Sequence, residues 1–212
     1  MPQGQIVILN GAPRSGKSSI AAVIQETFEG PWISLGVDVY ASMIPARYRP
    51  GIGLRPGCER PDLEAFVPTF YAALYDSIAA HSRLGLNVVV DVGHHDDYTR
   101  PLNVLQDCAR RLLDLPVLFV GVHCPLDVIM KRRSVPQSGR EGQYVTGSVD
   151  QPAPHPVVQW QRAVHSPGLY DLNIDTSLQS PEACADAIRR QLERGMTYPT
   201  AFQKLAAERY EP

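Results

Sequence analysis

The octapeptide Gly11–Ser18 constrains the fold of this 212-residue chain more than any other feature of its sequence. It reads G-A-P-R-S-G-K-S and matches the phosphate-binding pattern G-x-x-x-x-G-K-[ST] at every fixed position. The apolar run Ile6–Leu9 precedes it, and the helical pattern Ser18–Phe28 follows it. Because a phosphate-binding loop needs a strand before it and a helix after it, the sequence predicts a P-loop here.

Short apolar runs alternate with longer helical patterns along the rest of the chain. Runs rich in Val, Ile and Leu between helices predict a parallel sheet that is covered on both faces. The predicted strands are Gln5–Asn10, Trp32–Leu35, Asn87–Val92, Val117–His123 and Tyr170–Ile174. The predicted helices are Lys17–Phe28, Leu63–Arg83, Arg100–Leu113, Leu126–Arg133, Val157–Val164, Pro181–Arg194 and a tail near Thr200–Tyr210. The fold class is therefore α/β: a three-layer α/β/α P-loop NTPase fold around a parallel five-stranded sheet, in one domain over residues 1–212.

Charge and cysteine usage exclude several classes of protein. Twenty basic and 22 acidic residues give a net charge of −2, so we expect neither a nucleic-acid partner nor a membrane surface. The apolar runs are far shorter than the roughly 20 residues that span a bilayer, and the N-terminus has no signal-peptide pattern. The widely spaced cysteines predict reduced, mostly buried thiols in a cytoplasmic protein: Cys58, Cys108, Cys124 and Cys184. A homo-oligomer stays open.

The loop predicts binding of ATP with Mg²⁺. Lys17 is expected to project from an exposed loop to the β- and γ-phosphates, and the Ser18 hydroxyl to ligate Mg²⁺. Asp91 ends the run Asn87–Val90, where a second metal-holding carboxylate belongs; a capping or turn role is the alternative. The predicted ATP-binding residues are Gly11, Ala12, Pro13, Arg14, Ser15, Gly16, Lys17, Ser18 and Ser19.

The run His94-His95-Asp96-Asp97 has the composition of a metal site. Adjacent residues of an extended chain point in opposite directions, so the run does not readily close one coordination sphere. We interpret it as a loop that borders the acceptor pocket, with a transition-metal site as the alternative.

Five stretches of the chain resemble chloramphenicol 3-O-phosphotransferase and its relatives. They are I-V-I-L-N-G-A-P-R-S-G-K-S-S-I (6–20), P-W-I-S-L-G-V-D (31–38), V-V-V-D-V (88–92), V-L-F-V-G-V-H-C (117–124) and V-H-S-P-G-L-Y-D-L-N-I-D-T-S (164–177). Their order and spacing agree over most of residues 5–190. The resemblance implies a P-loop kinase fold and ATP-dependent phosphorylation of a hydroxyl on a small molecule, an activity that in this family gives antibiotic resistance.

The resemblance also implies roles for single residues. Asp38 matches the acidic residue that the family places beside the acceptor hydroxyl as general base, although a helix N-cap is the alternative. Arg132 and, with a one-residue slip, Arg140 match lid arginines that neutralise the transferring phosphoryl group, with Lys17 beside it; a middle family arginine falls at Pro136. Arg133 is a further candidate, and helix C-terminal charge is the alternative for Arg132 and Arg133. His165 lies on the family's V-H position, where it contacts the lid or nucleotide or makes a structural hydrogen bond.

Two Pro-rich stretches are interpreted as functional loops: an acceptor-binding segment at about 39–75 and a lid at about 131–156. Aromatic and Met side chains in the first suit an apolar, drug-sized acceptor, whereas its arginines at 47, 49, 55 and 60 suit an anionic one. The named acceptor candidates are Tyr40, Met43, Arg47 and Tyr71. Three functions stay open: a chloramphenicol-phosphotransferase-like enzyme, a metabolic kinase for a nucleotide, sugar acid or shikimate-like acceptor, and a non-enzymatic NTP-binding regulator.

Overall fold

The five predicted apolar runs form one parallel sheet, with bounds within two residues of the predicted ones. In the computed structural model, residues 2–48, 56, 60–135, 147–148 and 152–208 are described. The strands are β1 (Ile6–Asn10), β2 (Trp32–Gly36), β3 (Asn87–Val92), β4 (Val117–His123) and β5 (Leu172–Asp175). Their spatial order is β2-β3-β1-β4-β5, so β1, which carries the P-loop, lies at the centre. The order reverses beside β1, which is where ligands bind in open α/β sheets.

Helices connect the strands as right-handed crossovers require. They are α1 (Lys17–Thr27), α2 (Val37–Ser42), α3 (Pro61–Glu64), α4 (Val67–Arg83), α5 (Val104–Arg111), α6 (Leu126–Ser134), α7 (His155–Ala163), α8 (Pro181–Arg194) and α9 (Ala201–Ala207), with a 3₁₀ turn at Ala46–Tyr48.

Two helix predictions were too long, each for a local reason. The pattern Leu63–Arg83 divides into α3 and α4, because Pro68 lacks the N–H that an uninterrupted helix needs and instead occupies the first turn of α4. Helix α5 begins only at Val104, since Asn103 before it has a left-handed φ of 54°.

Two apolar clusters build the layers. On one face of the sheet, Ile6 and Ile8 of β1 pack with residues of α4, α5 and α9. On the other face, Val7 and Leu9 pack with residues of α1 and α8. All of β1 is buried, as a central strand covered on both faces must be. The predicted three-layer α/β/α architecture is confirmed.

A third, smaller cluster lies beyond the carboxyl ends of the strands. It joins Ala12 of the P-loop to Ile129 of α6 and to Val157 and Val164 at the two ends of α7. This cluster places α6 and α7 directly beside the phosphate-binding loop.

The thiols of the described residues are buried. Cys108, Cys124 and Cys184 are unpaired, and burial raises the pKa of Cys108 and Cys184; Cys58 lies outside the described residues. Within the described ranges, no helix has both the length and the apolar character needed to cross a membrane.

Candidate active site

The P-loop has the backbone that its glycines allow. Gly16 caps α1 with a left-handed φ of 101°, and Arg14 also has a positive φ, of 71°. A Cβ on Gly11 would lie 2.4 Å from the carbonyl oxygen of Val122, so only glycine fits at the start of the loop. These residues bring the loop's N–H groups to the N-terminus of α1, where the helix dipole favours an anion.

Lys17 is held inside the loop. Its ammonium donates to the carbonyl oxygens of Gly11 at 2.8 Å and Ala12 at 3.0 Å, and lies 3.5 Å from Oδ1 of Asp91. The residue is 7% exposed, so the expectation of a lysine on an exposed loop was wrong. The Lys17 side chain is buried because the loop wraps around it and places two carbonyl oxygens on its ammonium.

Ser18 and Asp91 form a pair of oxygen ligands. The Ser18 hydroxyl donates to Oδ2 of Asp91 at 2.5 Å. A hydroxyl and a carboxylate are the hard oxygen donors that Mg²⁺ prefers, so the donor set fits this metal. Bound here, Mg²⁺ would supply charge neutralisation for the phosphates.

The His94–Asp97 run turns its side chains in different directions. His94 Nε2 lies 2.7 Å from the hydroxyl of Tyr75 in the core, whereas Oδ1 of Asp96 accepts from the backbone N–H groups of residues 102 and 103. Among the described residues, no group of three or more His, Cys, Asp or Glu side chains has the arrangement of a metal site.

Asp38 follows β2, and Asp91 is the next-to-last residue of the neighbouring strand β3. Gly36, the last residue of β2, pairs in register with Asp91 of β3, and Asp38 follows two residues later in the first turn of α2. A Cβ on Gly36 would lie 2.5 Å from the Asp91 carbonyl oxygen, so glycine permits this approach. Gly36, not Asp38, is the N-cap of α2, and the exposed Asp38 lines the main cavity.

That cavity has a volume of about 440 Å³, within the range of small-molecule sites. Lys17, Asp38 and Asp91 line it at the phosphate side, and an apolar wall includes Val67, Phe70 and Leu74. Of the predicted acceptor residues, Tyr40 and Tyr71 line it and Met43 and Arg47 do not. Met43 is 67% exposed at the end of α2, and the Arg47 guanidinium lies over the Tyr48 ring at 4.9 Å.

Two aromatic side chains of the cavity, Tyr98 and Trp160, were not singled out from the sequence. The His95 ring stacks on that of Tyr98 with centroids 4.5 Å apart, and the Trp160 ring meets His95 edge-on at 5.8 Å. The indole Nε1 of Trp160 is buried and has no hydrogen-bond partner. The His-His-Asp-Asp run pointed to this loop, but no local signal marked Trp160, which reaches the cavity from α7.

The arginines divide between two cavities. Arg133 is buried and lines the main cavity, whereas Arg132 lines a second one of about 390 Å³ with Gly16, Ser18 and Ser19. Arg132 donates to the carbonyl oxygen of Thr176 at 2.7 Å and to its hydroxyl at 3.0 Å. Arg140 lies outside the described residues.

Arg14 and Thr176 tie the P-loop to its surroundings. The Arg14 guanidinium donates to the carbonyl oxygen of Arg132 at the end of α6. The Thr176 hydroxyl donates to the carbonyl oxygen of Ser15 at 2.6 Å. The loop is therefore anchored both to α6 and to the turn that follows β5.

His165 makes a hydrogen bond within the fold. Its Nδ1 lies 2.9 Å from the Tyr170 hydroxyl, and its ring stacks on that of His123 with centroids 4.1 Å apart. Burial, then the neighbouring charges of His123 and Lys17, lower the pKa of His165 to about 4. The imidazole is therefore neutral at physiological pH.

These features define a P-loop kinase fold, and solved structures with that fold superpose on the chain. An APS kinase of Mycobacterium tuberculosis aligns with TM-score 0.59 and 17% identity over 91% of this chain and 99% of that one. A sugar kinase of Janibacter sp. gives TM-score 0.60 and 17% identity over 90% and 95% of the two chains. A shikimate kinase of Acinetobacter baumannii gives 0.57 and 13% over 90% and 94%.

Sequence comparison gives the family. Residues 4–193 match the chloramphenicol phosphotransferase-like protein family, so the chain belongs to it. A proposed O-phosphotransferase of Mycobacterium tuberculosis is 26% identical over 219 residues, covering 97% of this chain and 89% of that protein. The protein is a phosphotransferase enzyme, as the resemblance implied.

Proposed function

We propose that the protein transfers the γ-phosphoryl group of ATP to an alcohol of a neutral, mostly apolar small molecule. One observation carries this proposal: Asp38, Lys17 and Asp91 line the same 440 Å³ cavity as the apolar side chains of Val67, Phe70 and Leu74. A carboxylate that faces both a phosphate loop and an apolar pocket suits proton removal from a bound hydroxyl.

The nucleotide is assigned to the P-loop and the second cavity. The loop N–H groups and Lys17 bind the phosphates, and Ser18 and Asp91 hold Mg²⁺. The base side of the nucleotide faces Arg132, Thr176 and Gln179, which line the second cavity. Arg132 thus acts on the nucleotide side. Arg133, the further candidate from the sequence, is the cation that faces the acceptor cavity.

The reaction then needs a group that accepts the proton of the hydroxyl and cations that offset the charge of the transferring phosphoryl group. Asp38 accepts the proton of the acceptor hydroxyl as its oxygen attacks the γ-phosphorus. The bond from the γ-phosphorus to the β,γ-bridging oxygen breaks, and ADP leaves with the electron pair. Lys17 and Arg133 offset the charge on the transferring phosphoryl group.

A neutral acceptor is favoured by where two arginines of residues 39–75, Arg47 and Arg60, lie. The Arg60 guanidinium pairs on the surface with Asp62 at 2.7 Å, and Arg47 stacks on Tyr48 outside the cavity lining. Arg49 and Arg55 lie outside the described residues. Tyr40, Phe70 and Tyr71 line the cavity instead, and their aromatic rings suit a neutral acceptor. A metabolic kinase for an anionic acceptor is therefore the second candidate.

The acceptor segment at about 39–75 and the lid at about 131–156 remain part of the proposal. Within the lid, α6 ends at Ser134 beside the P-loop and α7 begins at His155. Closure of such a segment over the phosphates would exclude water from the transfer. Arg140 is retained as its second candidate cation.

The test is an acceptor screen with the purified full chain, Mg²⁺ and ATP. Two panels of hydroxyl compounds are used, one neutral and containing chloramphenicol, the other anionic, and ADP release and acceptor mass are measured. We expect phosphorylation in the neutral panel and its loss, by roughly 10²–10⁴-fold in kcat, in Asp38→Asn with ATP affinity retained.

A matched control is Asp186→Asn, which removes an exposed carboxylate that pairs with Arg189 on α8. This variant should keep full activity. Phosphorylation confined to the anionic panel would favour the second candidate, and no acceptor-dependent ADP release in either panel would leave a non-enzymatic NTP-binding regulator. If Asp38→Asn abolishes ATP binding, Asp38 belongs to the nucleotide or metal site.

A further inference from the structure

We infer that Asn10 is a positioning residue that holds the acceptor wall in register with the P-loop. The inference rests on the proposed function, since it assigns how the two halves of that site are kept together. Asn10 is the last residue of β1 and immediately precedes Gly11. It is 0% exposed, so it touches neither ATP nor acceptor directly.

The side-chain amide of Asn10 uses both of its N–H donors and its carbonyl oxygen for cross-links. Its Oδ1 accepts from the backbone N–H of His94 at 2.8 Å. Its Nδ2 donates to the carbonyl oxygen of Val164 at 2.8 Å and to the hydroxyl of Tyr170 at 2.9 Å. Because the His94 N–H requires an acceptor and Val164 a donor, the amide has one allowed orientation.

The sheet does not depend on these bonds. The backbone of Asn10 pairs with Val92 of β3 on one side and with Gly121 of β4 on the other. The N–H of Gly11 donates to the Val92 carbonyl oxygen at 3.2 Å. Strand β1 is therefore fixed by its ladders, and the side chain is left to link elements beyond the sheet.

Two of the three partners of Asn10, His94 and Val164, belong to segments that form the acceptor wall. His94 lies between Gly93 and His95, which line the main cavity. The backbone N–H of Val164 donates to the carbonyl oxygen of Trp160 at 2.9 Å, so Val164 closes the last turn of α7 from which Trp160 projects. One amide thus fixes two segments of the wall to the residue before the phosphate loop.

Tyr170 gives the cross-link a rigid support. A Cβ on Gly121 would lie 2.7 Å from the Tyr170 ring, so this ring packs directly against β4. Its hydroxyl also bonds His165 Nδ1 at 2.9 Å. Buried hydrogen bonds of this kind favour one arrangement of the side chains, and a shift of about 1 Å in the reacting groups is enough to slow a transfer by about 10²-fold.

The test is amide hydrogen exchange of the full chain with and without Mg²⁺ and the ATP analogue AMP-PNP. In the wild-type protein, the nucleotide should slow exchange in residues 11–19 and also in residues 93–98 and 160–166, each by about tenfold at saturating ligand. In Asn10→Ala, only the P-loop should slow. Asn10→Asp has the same size but lacks both donors, so it should behave like Asn10→Ala.

Ser82→Ala is the matched control. Ser82 is also 0% exposed, and its hydroxyl donates to the Gly4 carbonyl oxygen at 2.6 Å near the amino end of β1. Loss of this hydroxyl should lower the melting temperature about as much as Asn10→Ala does. The nucleotide should still slow exchange in residues 93–98 and 160–166. The inference is overturned if the nucleotide does not slow exchange in residues 93–98 and 160–166 of the wild-type protein. It is also overturned if this slowing persists in Asn10→Ala, or if Ser82→Ala loses it as well. No slowing of the P-loop in the wild-type protein would overturn the proposed function itself.

Discussion

The hydroxyl of Ser18 and the carboxylate of Asp91 meet at 2.5 Å, although 73 residues separate them in the sequence. The first stands at the start of α1 and the second on β3, the strand next to β1. Lys17 approaches the other oxygen of the same carboxylate at 3.5 Å. The two proposed metal ligands and the proposed phosphate-binding cation therefore meet at one carboxylate.

Asp91→Asn should raise the Mg²⁺ concentration needed for half-maximal ADP release by at least about tenfold. The amide keeps the shape of the carboxylate but loses the charge that attracts a hard divalent cation. Magnesium titrations at fixed ATP measure the effect. Asp114→Asn, an exposed carboxylate after α5, is the control, and an unchanged Mg²⁺ requirement in Asp91→Asn would remove Asp91 from the metal site.

Lys17→Ala should abolish ATP-dependent transfer and also lower the melting temperature. The ammonium donates to two carbonyl oxygens inside the loop, and hydrogen bonds to charged groups contribute about 1.5–3 kcal/mol. Differential scanning fluorimetry without nucleotide measures the second effect. Lys131→Ala removes an exposed lysine and should change neither quantity; transfer within tenfold of wild type in Lys17→Ala would contradict the P-loop assignment.

Arg132→Ala and Arg133→Ala should act on different kinetic constants. Arg132 lines the second cavity beside Thr176, so its loss should raise KM for ATP with a smaller change in kcat. Arg133 faces the main cavity, so its loss should lower kcat by about 10²–10³-fold, as for removal of a group that stabilises transition-state charge. Steady-state kinetics with an acceptor from the screen measure both. Equal effects on KM and kcat in the two variants would refute the division.

The fold was predictable because its signals are local. Five short runs with apolar residues and one loop pattern define the strands and the start of α1 without reference to distant residues. The break before α4 was missed since the apolar period continues across Pro68. Where an apolar helical period runs across a proline, the missing N–H of the proline determines where the helix begins.

Site residues were predictable from the sequence only where a residue of suitable chemistry also stands at the end of a predicted strand. Asp38 follows β2 and Asp91 lies near the end of β3, and parallel strands end at one edge, so their place beside one cavity follows from the fold. Trp160 and Asn10 carry no such mark, because their roles depend on contacts with segments far along the chain, such as the 154 residues between Asn10 and Val164. Met43 and Arg47 were chosen from the composition of a segment, which does not say which side chains turn inward.

The stability of the protein should fall steeply as the pH drops below about 6.5, because two histidines are neutral in the native state. Burial, then the charge of His95, lower the pKa of His94 to about 3, and that of His165 is lowered to about 4. In the unfolded chain both titrate near 6.5, so the unfolded state gains protons that the native state does not. The native state is therefore favoured most above pH 6.5 and loses stability until the native pKa values are reached.

Urea unfolding of wild type and His94→Gln at several pH values between 7 and 4.5 tests this. His94 accounts for at most about 1.4 kcal/mol per pH unit, so the variant should be less stable at pH 7 but show a flatter decline by about that slope. The loss at pH 7 arises from the bond between His94 Nε2 and the Tyr75 hydroxyl at 2.7 Å. His155→Gln, at an exposed position at the start of α7, is the control variant and should keep the wild-type slope. Parallel pH profiles for wild type and His94→Gln would show that His94 does not supply the acid sensitivity, which would then have to come from His165 and the carboxylates.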